Sequence, residues 1–315
     1  MTDMSDAARD LAILYEHPQW FEPLFAALDR RGVAYVKSSF AGHHFDPQGS
    51  PPPAPVVFSR LAMSSFLREA EHPIFYARSL FAHWAARGAR VLNAEALDVD
   101  ASKARQLSVI SALGLLTPET RVVHRRRDLI AAAAGLRFPV LVKADIGGSG
   151  AGIVRYDSAE ELAAAAAAGE TPVGVNGVAL LQEYSPRRDG RVYRVETLNG
   201  RFLYAMEVES PGETFDLCPA DACLVRPGTA ALSMTRFEPP AEIVAAAEAI
   251  AQAAQLDIGS VEYLIDDRDG STRFYDLNAL SNFVARPLEV LGFDPHEDLV
   301  DWLVAVIAGQ KALAS

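Results

Sequence analysis

Cysteine is nearly missing: Cys218 and Cys223 are the two in 315 residues. So sparse a supply excludes a disulfide-stapled framework and fits a reducing compartment. The spacing of Cys218 and Cys223 around Pro219-Ala-Asp-Ala matches no standard zinc pattern, and both read as free thiols. Positive charge is also short, with 29 lysines and arginines against 41 aspartates and glutamates and a formal net charge of −12. Duplex binding depends on basic side chains neutralising phosphates, so nucleic acid is not an expected partner. The one compact basic run, Arg125 to Arg127, reads as a solvated helix start. No apolar stretch is long enough to span a bilayer, and the acidic start Met-Thr-Asp-Met-Ser-Asp is unlike a signal peptide. No membrane partner is expected, and the cytoplasm is the default location.

What is present is apolar surface, at 50% hydrophobic residues, enough to bury a sizeable core divided into two or three lobes. Strand-like runs at Leu11 to Tyr15, Val33 to Lys37, Val56 to Phe58 and Arg90 to Leu92 alternate with helical patterns at 19–31 and 72–87. That order implies a small parallel α/β unit. Its loop 38–55, with His43, His44 and three consecutive prolines, is long enough to be functional. The paired histidines lack a third ligand nearby and read as surface. Arg60 lies just past a strand end, where α/β sheets tend to place ligand groups, and is a candidate for binding a substrate carboxylate.

The most informative segment runs from Phe138 to Tyr156. Pro139-Val-Leu-Val-Lys143 reads as a buried strand, Ile153-Val-Arg-Tyr156 as the strand returning from a turn, and Gly147, Gly148, Ser149, Gly150, Ala151 and Gly152 lie between them. Glycine admits backbone conformations closed to other residues and lets peptide N–H groups approach phosphate oxygens. A P-loop would need lysine and serine or threonine directly after the last glycine with a helix starting there, whereas Ile153 and Val154 follow. The helix comes later, opened by a capping box of Ser158 and Glu161. The dinucleotide fingerprint fails on spacing. A kinase reading fails because His124 to Asp128 lacks the catalytic-loop asparagine and has no Asp-Phe-Gly partner. A glycine-rich hairpin without a ligand is the plain alternative.

Near the C-terminus, Val261 to Ile265 and Arg273 to Asn278 flank the turn Asp266-Asp-Arg-Asp-Gly270, a hairpin signal. Asp276 and Asn278 share a strand face, and pairing across the turn places Glu262 roughly opposite Asp276. Two carboxylates and an amide suit a hard cation such as magnesium, which takes its remaining ligands from water and nucleotide phosphates. A solvated acidic edge is the alternative, but Asp276 and Asn278 are embedded among Phe274, Tyr275, Leu277 and Leu280, where an uncompensated carboxylate is costly. A third element, Ala179 to Tyr184, is an apolar strand ending in polar residues that can present backbone groups to an adenine edge.

In this order the motifs resemble the ATP-grasp superfamily, nearest its glutathione synthetase and RimK-type ligases. The matching elements are Lys103 in Asp100-Ala-Ser-Lys103, Gly114 to Thr120, Phe138 to Lys143, the Gly147 to Gly152 loop, Gln182-Glu-Tyr184, Arg194 before Asn199-Gly200, and Glu262 with Asp276-Leu-Asn278. The resemblance implies an α/β chain: an α+β ATP-grasp module preceded by a small parallel, Rossmann-like lobe. The implied division is an N-terminal lobe over 1–98, a central lobe with the glycine hairpin over 99–180, and a C-terminal lobe with the acidic hairpin over 181–315. It further implies ATP gripped between two lobes, with Gly147, Gly148, Ser149, Gly150 and Gly152 folded over its phosphates. Lys103 and Lys143 would contact phosphates, Gln182, Glu183 and the Tyr184 backbone would hold adenine, and Glu262, Asp276 and Asn278 would bind two magnesium ions. Arg194 matches the arginine facing the reacting phosphoryl and acyl groups, so Arg194 and Lys143 are the expected catalytic residues.

Two departures bear on the carry-over. Val192 stands two before Arg194, where many relatives have an acidic residue that can hold the ribose, leaving Asp189, Arg191 or no residue for that contact. The strand Tyr204 to Glu209 lacks an arginine that relatives offer to phosphate; Arg226 is a candidate replacement, or Glu207 and Glu209 face an amine substrate. Arg60, Arg226, Asn282 and Arg286 are the substrate candidates, and Phe215 to Cys223 has no counterpart in the resemblance. The implied activity is ATP-dependent ligation of a small-molecule or peptide carboxylate to an amine through an acyl phosphate, releasing ADP and phosphate. The alternatives are a thiol or direct phosphoryl acceptor and a non-catalytic nucleotide-binding regulator. Relatives of this kind are often dimers or tetramers, so a homo-oligomer is expected.

Overall fold

Strand β1 (Leu11–Tyr15) sits where the apolar run predicts it, and Leu11 to Leu14 have no solvent exposure because the strand is covered on both faces. The computed structural model describes residues 9–67, 73–148, 150–209, 233–280, 282–284 and 286–314. Around β1, strands β2 (Tyr35–Ser39), β3 (Val56–Arg60) and β4 (Arg90–Leu92) complete a parallel sheet in the order β2-β1-β3-β4. The helical patterns become helices Glu22–Arg30 and Pro73–Ala85. Strand β2 lies two residues beyond the expected Val33 to Lys37.

The second sheet is antiparallel, with strands β5 (Thr120–Val123), β6 (Val140–Ala144), β7 (Ile153–Tyr156) and β8 (Ala179–Glu183) in the order β5-β8-β6-β7. Strands β6 and β7 form the expected glycine-turn hairpin, closed by the Ala144 N–H donating to the Gly152 carbonyl at 2.9 Å. Ser158 caps the next helix, accepting the Glu161 N–H at 3.2 Å, while the Glu161 carboxylate reaches back to the Asp157 N–H at 2.8 Å. The third sheet is also antiparallel and holds β9 (Arg191–Leu198), β10 (Arg201–Glu209), β11 (Ser233–Phe237), β12 (Ile258–Ile265) and β13 (Thr272–Asn278) in the order β11-β10-β9-β12-β13.

Long-range packing ties the first sheet to the third. Leu11, Ile13 and Phe58 share one apolar cluster with Tyr204, Met206 and Ile258, and helix Pro295–Ala314 closes over it with Leu299 and Leu303. Asn93, just after β4, is a polar clasp. Its amide nitrogen donates to the Ile258 and Ala279 carbonyls at 2.8 and 2.7 Å, and its amide oxygen accepts the Asp257 N–H at 2.8 Å. Such a satisfied buried amide fixes register between elements far apart in the chain. Among the described residues, no helix is long and apolar enough to cross a membrane.

Candidate active site

One cavity of about 1470 Å³, its open mouth included, lies where loops of the first sheet meet the other two sheets. Leu141 and Lys143, two apart on β6 and so on one face, both line it. Gly147, Gly148 and Gly150 line it from the turn, and Gln182, Glu183 and Tyr184 from the end of β8. A Cβ on Gly148 would lie 3.1 Å from the Ser64 Cβ and 3.3 Å from its backbone nitrogen, so the turn is held close against the first sheet's loop.

Lys103 enters from the first turn of helix Lys103–Ala112, and two contacts fix that turn. Asp145, at the base of the glycine turn and 2% exposed, accepts the Ala104 N–H at 2.9 Å and the Ser102 hydroxyl at 3.0 Å. Gln106 pairs with both backbone groups of Leu277 on β13, at 3.0 and 3.1 Å. The lysine is thereby set beside the acidic hairpin, its Nζ 2.5 Å from Asp276 Oδ1. Of the chain's four lysines, two line this cavity. Burial, with Lys103 close by, holds Lys143 down to about 8. Lys103 is buried as well, but Asp276 keeps it above its ordinary value.

The reacting groups expected on the third sheet stand in a row across it. Arg194 on β9 is the register partner of Glu262 on β12, and Glu262 that of Asp276 on β13, as the hairpin alternation predicts. Arg194 NH1 donates to Glu262 Oε1 at 3.1 Å, and Asn278 Nδ2 to the same oxygen at 3.3 Å. The Tyr275 hydroxyl donates to Glu262 Oε2 at 3.0 Å. Charges therefore run as a cation, two adjacent anions and a cation, from Arg194 through Glu262 and Asp276 to Lys103. Burial pushes the Glu262 carboxyl up, Arg194 opposes that, and Asp276 adds to it. Two close, buried carboxylates are costly unless cations stand beside them.

The donor set fits magnesium: two carboxylates and an amide, all hard oxygen ligands on one face of one strand pair. Among the described residues, no three side chains of the His, Cys, Asp and Glu types form a ready-made cluster, so phosphate oxygens and water would complete the shell.

Solved structures superpose on nearly the whole chain. The ATP-grasp ligase PsnB complexed with minimal precursor, Mg and ADP does so at 14% identity and TM-score 0.68, over 97% of this chain and 100% of that one. The RimK domain ATP-grasp protein from Sphaerobacter thermophilus DSM 20745 gives 17% identity and TM-score 0.67, over 93% and 99%. The chain has the ATP-grasp fold. D-alanine–D-alanine ligase from Bacillus anthracis, complexed with ATP, is similar as well, at 14% identity and TM-score 0.66 over 98% and 100%. No family model and no curated protein sequence matches.

Within this ATP-grasp fold, several expected residues have other surroundings. Arg60 does not line the cavity: it is 3% exposed, with its guanidinium 4.9 Å from the ring centres of both Phe21 and Phe58. Burial pulls it down to about 9, opposed by the charge of Glu196. Arg286 is also outside, bonded to Glu289 at 3.0 Å in an exposed pair. Gly152 serves the hairpin rather than the cavity, since a Cβ there would meet the Ala144 Cβ at 3.0 Å. Glu183 lines the cavity, but its carboxylate accepts the Arg137 N–H at 2.9 Å and Arg137 NH2 at 3.1 Å. The Tyr184 N–H donates to the Pro139 carbonyl at 2.9 Å, so among its backbone groups the carbonyl is left for an adenine edge. Neither Asp189 nor Arg191 lines the cavity; Arg191 Nε pairs with Glu207 at 3.3 Å. Asn282 does line it, and its Oδ1 is buried with no hydrogen-bond partner among the described residues. Ser149, Arg226, Cys218 and Cys223 lie outside the described residues.

Sequence reasoning missed Asp145, Glu196, Tyr275 and Arg187. Glu196 was within reach of it, because it lies two after Arg194 and so on the same face of β9. It has no exposure and accepts Arg194 Nε–H at 2.7 Å. Arg187 lines the cavity three residues past Tyr184, and Tyr275 lines it between Phe274 and Asp276, where an apolar run concealed it.

Proposed function

We propose that this ATP-grasp protein is an ADP-forming ligase that joins a carboxylate to an amine. The observation carrying the reading is the 2.5 Å approach of Lys103 to Asp276, which puts the phosphate-type lysines and the magnesium-type oxygens in one cavity with Arg194. The neighbours add that PsnB is called a ligase complexed with Mg and ADP, and that another is a D-alanine–D-alanine ligase complexed with ATP.

A carboxylate oxygen of the substrate attacks the γ-phosphorus, and the bond to the bridging oxygen breaks with release of ADP. The amine lone pair then attacks the acyl carbon, the carbon–oxygen bond to phosphate breaks, and the amine gives up a proton. Lys103 and Lys143 would hold the phosphoryl oxygens, where fixed cations offset the charge that develops in transfer. Arg194 commits Nε and NH1 to Glu196 and Glu262, and NH2 is the nitrogen left for a substrate oxygen. Glu262, Asp276 and Asn278 would hold magnesium, two ions by the resemblance, supplying charge next to the transferred group. The turn of Gly147, Gly148 and Gly150 would exclude water from the acyl phosphate.

A carboxylate panel with hydroxylamine as acceptor tests this. Hydroxamate formed together with ADP supports the ligase. A phosphorylated product with no trapped acyl group means direct phosphoryl transfer, and magnesium-dependent ATP binding without ADP formation across the panel means a nucleotide-binding regulator.

A further inference from the structure

Beyond the reacting groups the cavity ends on an apolar wall. Trp20 and Ala62 belong to one buried apolar cluster, Leu280 packs against that cluster from the end of the acidic hairpin, and Met63 continues the surface. Charge is laid out differently here from the nucleotide end. Arg194 is shared between Glu196 and Glu262, and Glu196 also faces the charge of Arg60. Of the other described cations of the lining, Lys103 opens helix Lys103–Ala112 beside Asp276, Lys143 stands on β6 below the glycine turn, and Arg187 lies in the loop after β8. Arg60, which the strand-end position offers for a carboxylate, is instead covered by Phe21 and Phe58 with Glu196 as its counter-charge. A second carboxylate placed against this wall would be taken out of water among apolar side chains, which is costly. Trp20, stacked on His17 at 4.6 Å between ring centres, offers by contrast a large rigid apolar contact.

We propose that the carboxylate substrate is a monocarboxylate with an apolar body of aryl or branched-alkyl size, the body seated on Trp20, Ala62, Met63 and Leu280 and the carboxylate directed to Arg194. This inference rests on the ligase reading of the same site. One acid group then meets one arginine edge, and no further charge is taken out of water.

Binding and turnover are read separately, with 3-phenylpropionate and glutarate as probes. Calorimetry on the protein loaded with magnesium and a non-hydrolysable ATP analogue should show 3-phenylpropionate binding at least about tenfold more tightly than glutarate, the scale on which apolar pockets discriminate. Trp20→Ala should weaken 3-phenylpropionate by at least about tenfold while the analogue's own affinity holds. Should that variant not fold, Leu280→Lys changes a half-buried residue and adds a cation, and it should turn the preference toward glutarate. Glutarate binding as tightly as 3-phenylpropionate to the unaltered protein, neither acid binding, or a preference unmoved in Leu280→Lys overturns the substrate class. Hydroxamate from glutarate alone does the same and leaves the ligase reading standing. Binding of 3-phenylpropionate with no hydroxamate from any acid removes the ligase reading and leaves the pocket assignment in place.

Discussion

Glu196 is fully buried and takes the Nε–H of Arg194 at 2.7 Å, on the opposite edge of the guanidinium from the 3.1 Å bond to Glu262. Burial disfavours the arginine's charge, but Glu196 and Glu262 more than offset it and hold Arg194 above its ordinary value. The guanidinium is gripped from two sides.

If Glu196 orients Arg194, its two variants should separate. Glu196→Gln keeps an oxygen for the Nε–H, whereas Glu196→Leu leaves a buried cation with one partner fewer. Breaking a buried pair from one side commonly costs about 3–5 kcal/mol, so Glu196→Leu should show that loss in a denaturant titration. Glu196→Gln should keep most of the stability and lose rate through a lower kcat with a nearly unchanged KM for ATP. A KM effect with kcat intact would remove the positioning role.

Lys143 should make the proposed nucleotide site sensitive to alkali. Burial and the neighbouring Lys103 bring it down to about 8, so it is charged below that pH and neutral above. Phosphate oxygens need the charged form. Nucleotide affinity should therefore be full below pH about 8 and fall as pH rises through it, with proton uptake on binding near that pH. In the nucleotide-free protein the sign reverses: the folded form binds fewer protons than the unfolded one, so stability rises from pH about 8 toward the ordinary lysine value. Calorimetry in buffers of different ionisation enthalpy measures the uptake. Lys143→Met should abolish it and lower turnover by about 10² to 10³. A proton count equal in the variant and the unaltered protein would assign the titration to another group.

How far such groups were legible depended on how local their signal is. The Glu262 to Asp276 pairing could be read because strand alternation and the Asp-Gly turn together set a register, and both lie within 17 residues of chain. The parallel first sheet was legible from its alternation of strands and helices. Arg60 was misplaced because much of what surrounds it is distant in the chain: Phe21 comes from before the first helix, helix Pro295–Ala314 packs on β3, and His296 near its start feels the charge of Arg60. Glu196 looks like a solvent-face residue in isolation and is buried because β9 lies between β10 and β12. Asp145 carries no motif; its role appears only when the helix of Lys103 is seen to start against it.

Asp276→Asn tests the metal assignment. The substitution keeps an oxygen at the same place and removes one charge from the row, so magnesium affinity in the presence of nucleotide should drop. As a proposed direct ligand, Asp276 should cost more than the roughly 10- to 100-fold that outer-shell partners commonly do. A magnesium titration of fluorescent-nucleotide binding measures this directly. An unchanged magnesium midpoint with an intact fold would exclude Asp276 from the shell.

Gly259 supplies a test of the hairpin geometry that substitutes none of the proposed ligands. A Cβ there would lie 2.2 Å from the Asn278 carbonyl oxygen and 2.9 Å from Leu256 Cδ1, the first a backbone atom that cannot swing aside. Gly259→Ala must therefore push β12 away from the end of β13, where Asn278 donates to Glu262. Overpacking of this kind typically costs about 1–3 kcal/mol. The separation should also pull the Glu262 and Asn278 side chains apart, so the variant should lose magnesium response as well as stability. Thermal unfolding and the same magnesium titration would read the two effects on one sample. Stability lost with the magnesium midpoint unmoved would mean that the hairpin relaxes without disturbing those oxygens, and that close strand approach at Gly259 serves packing alone.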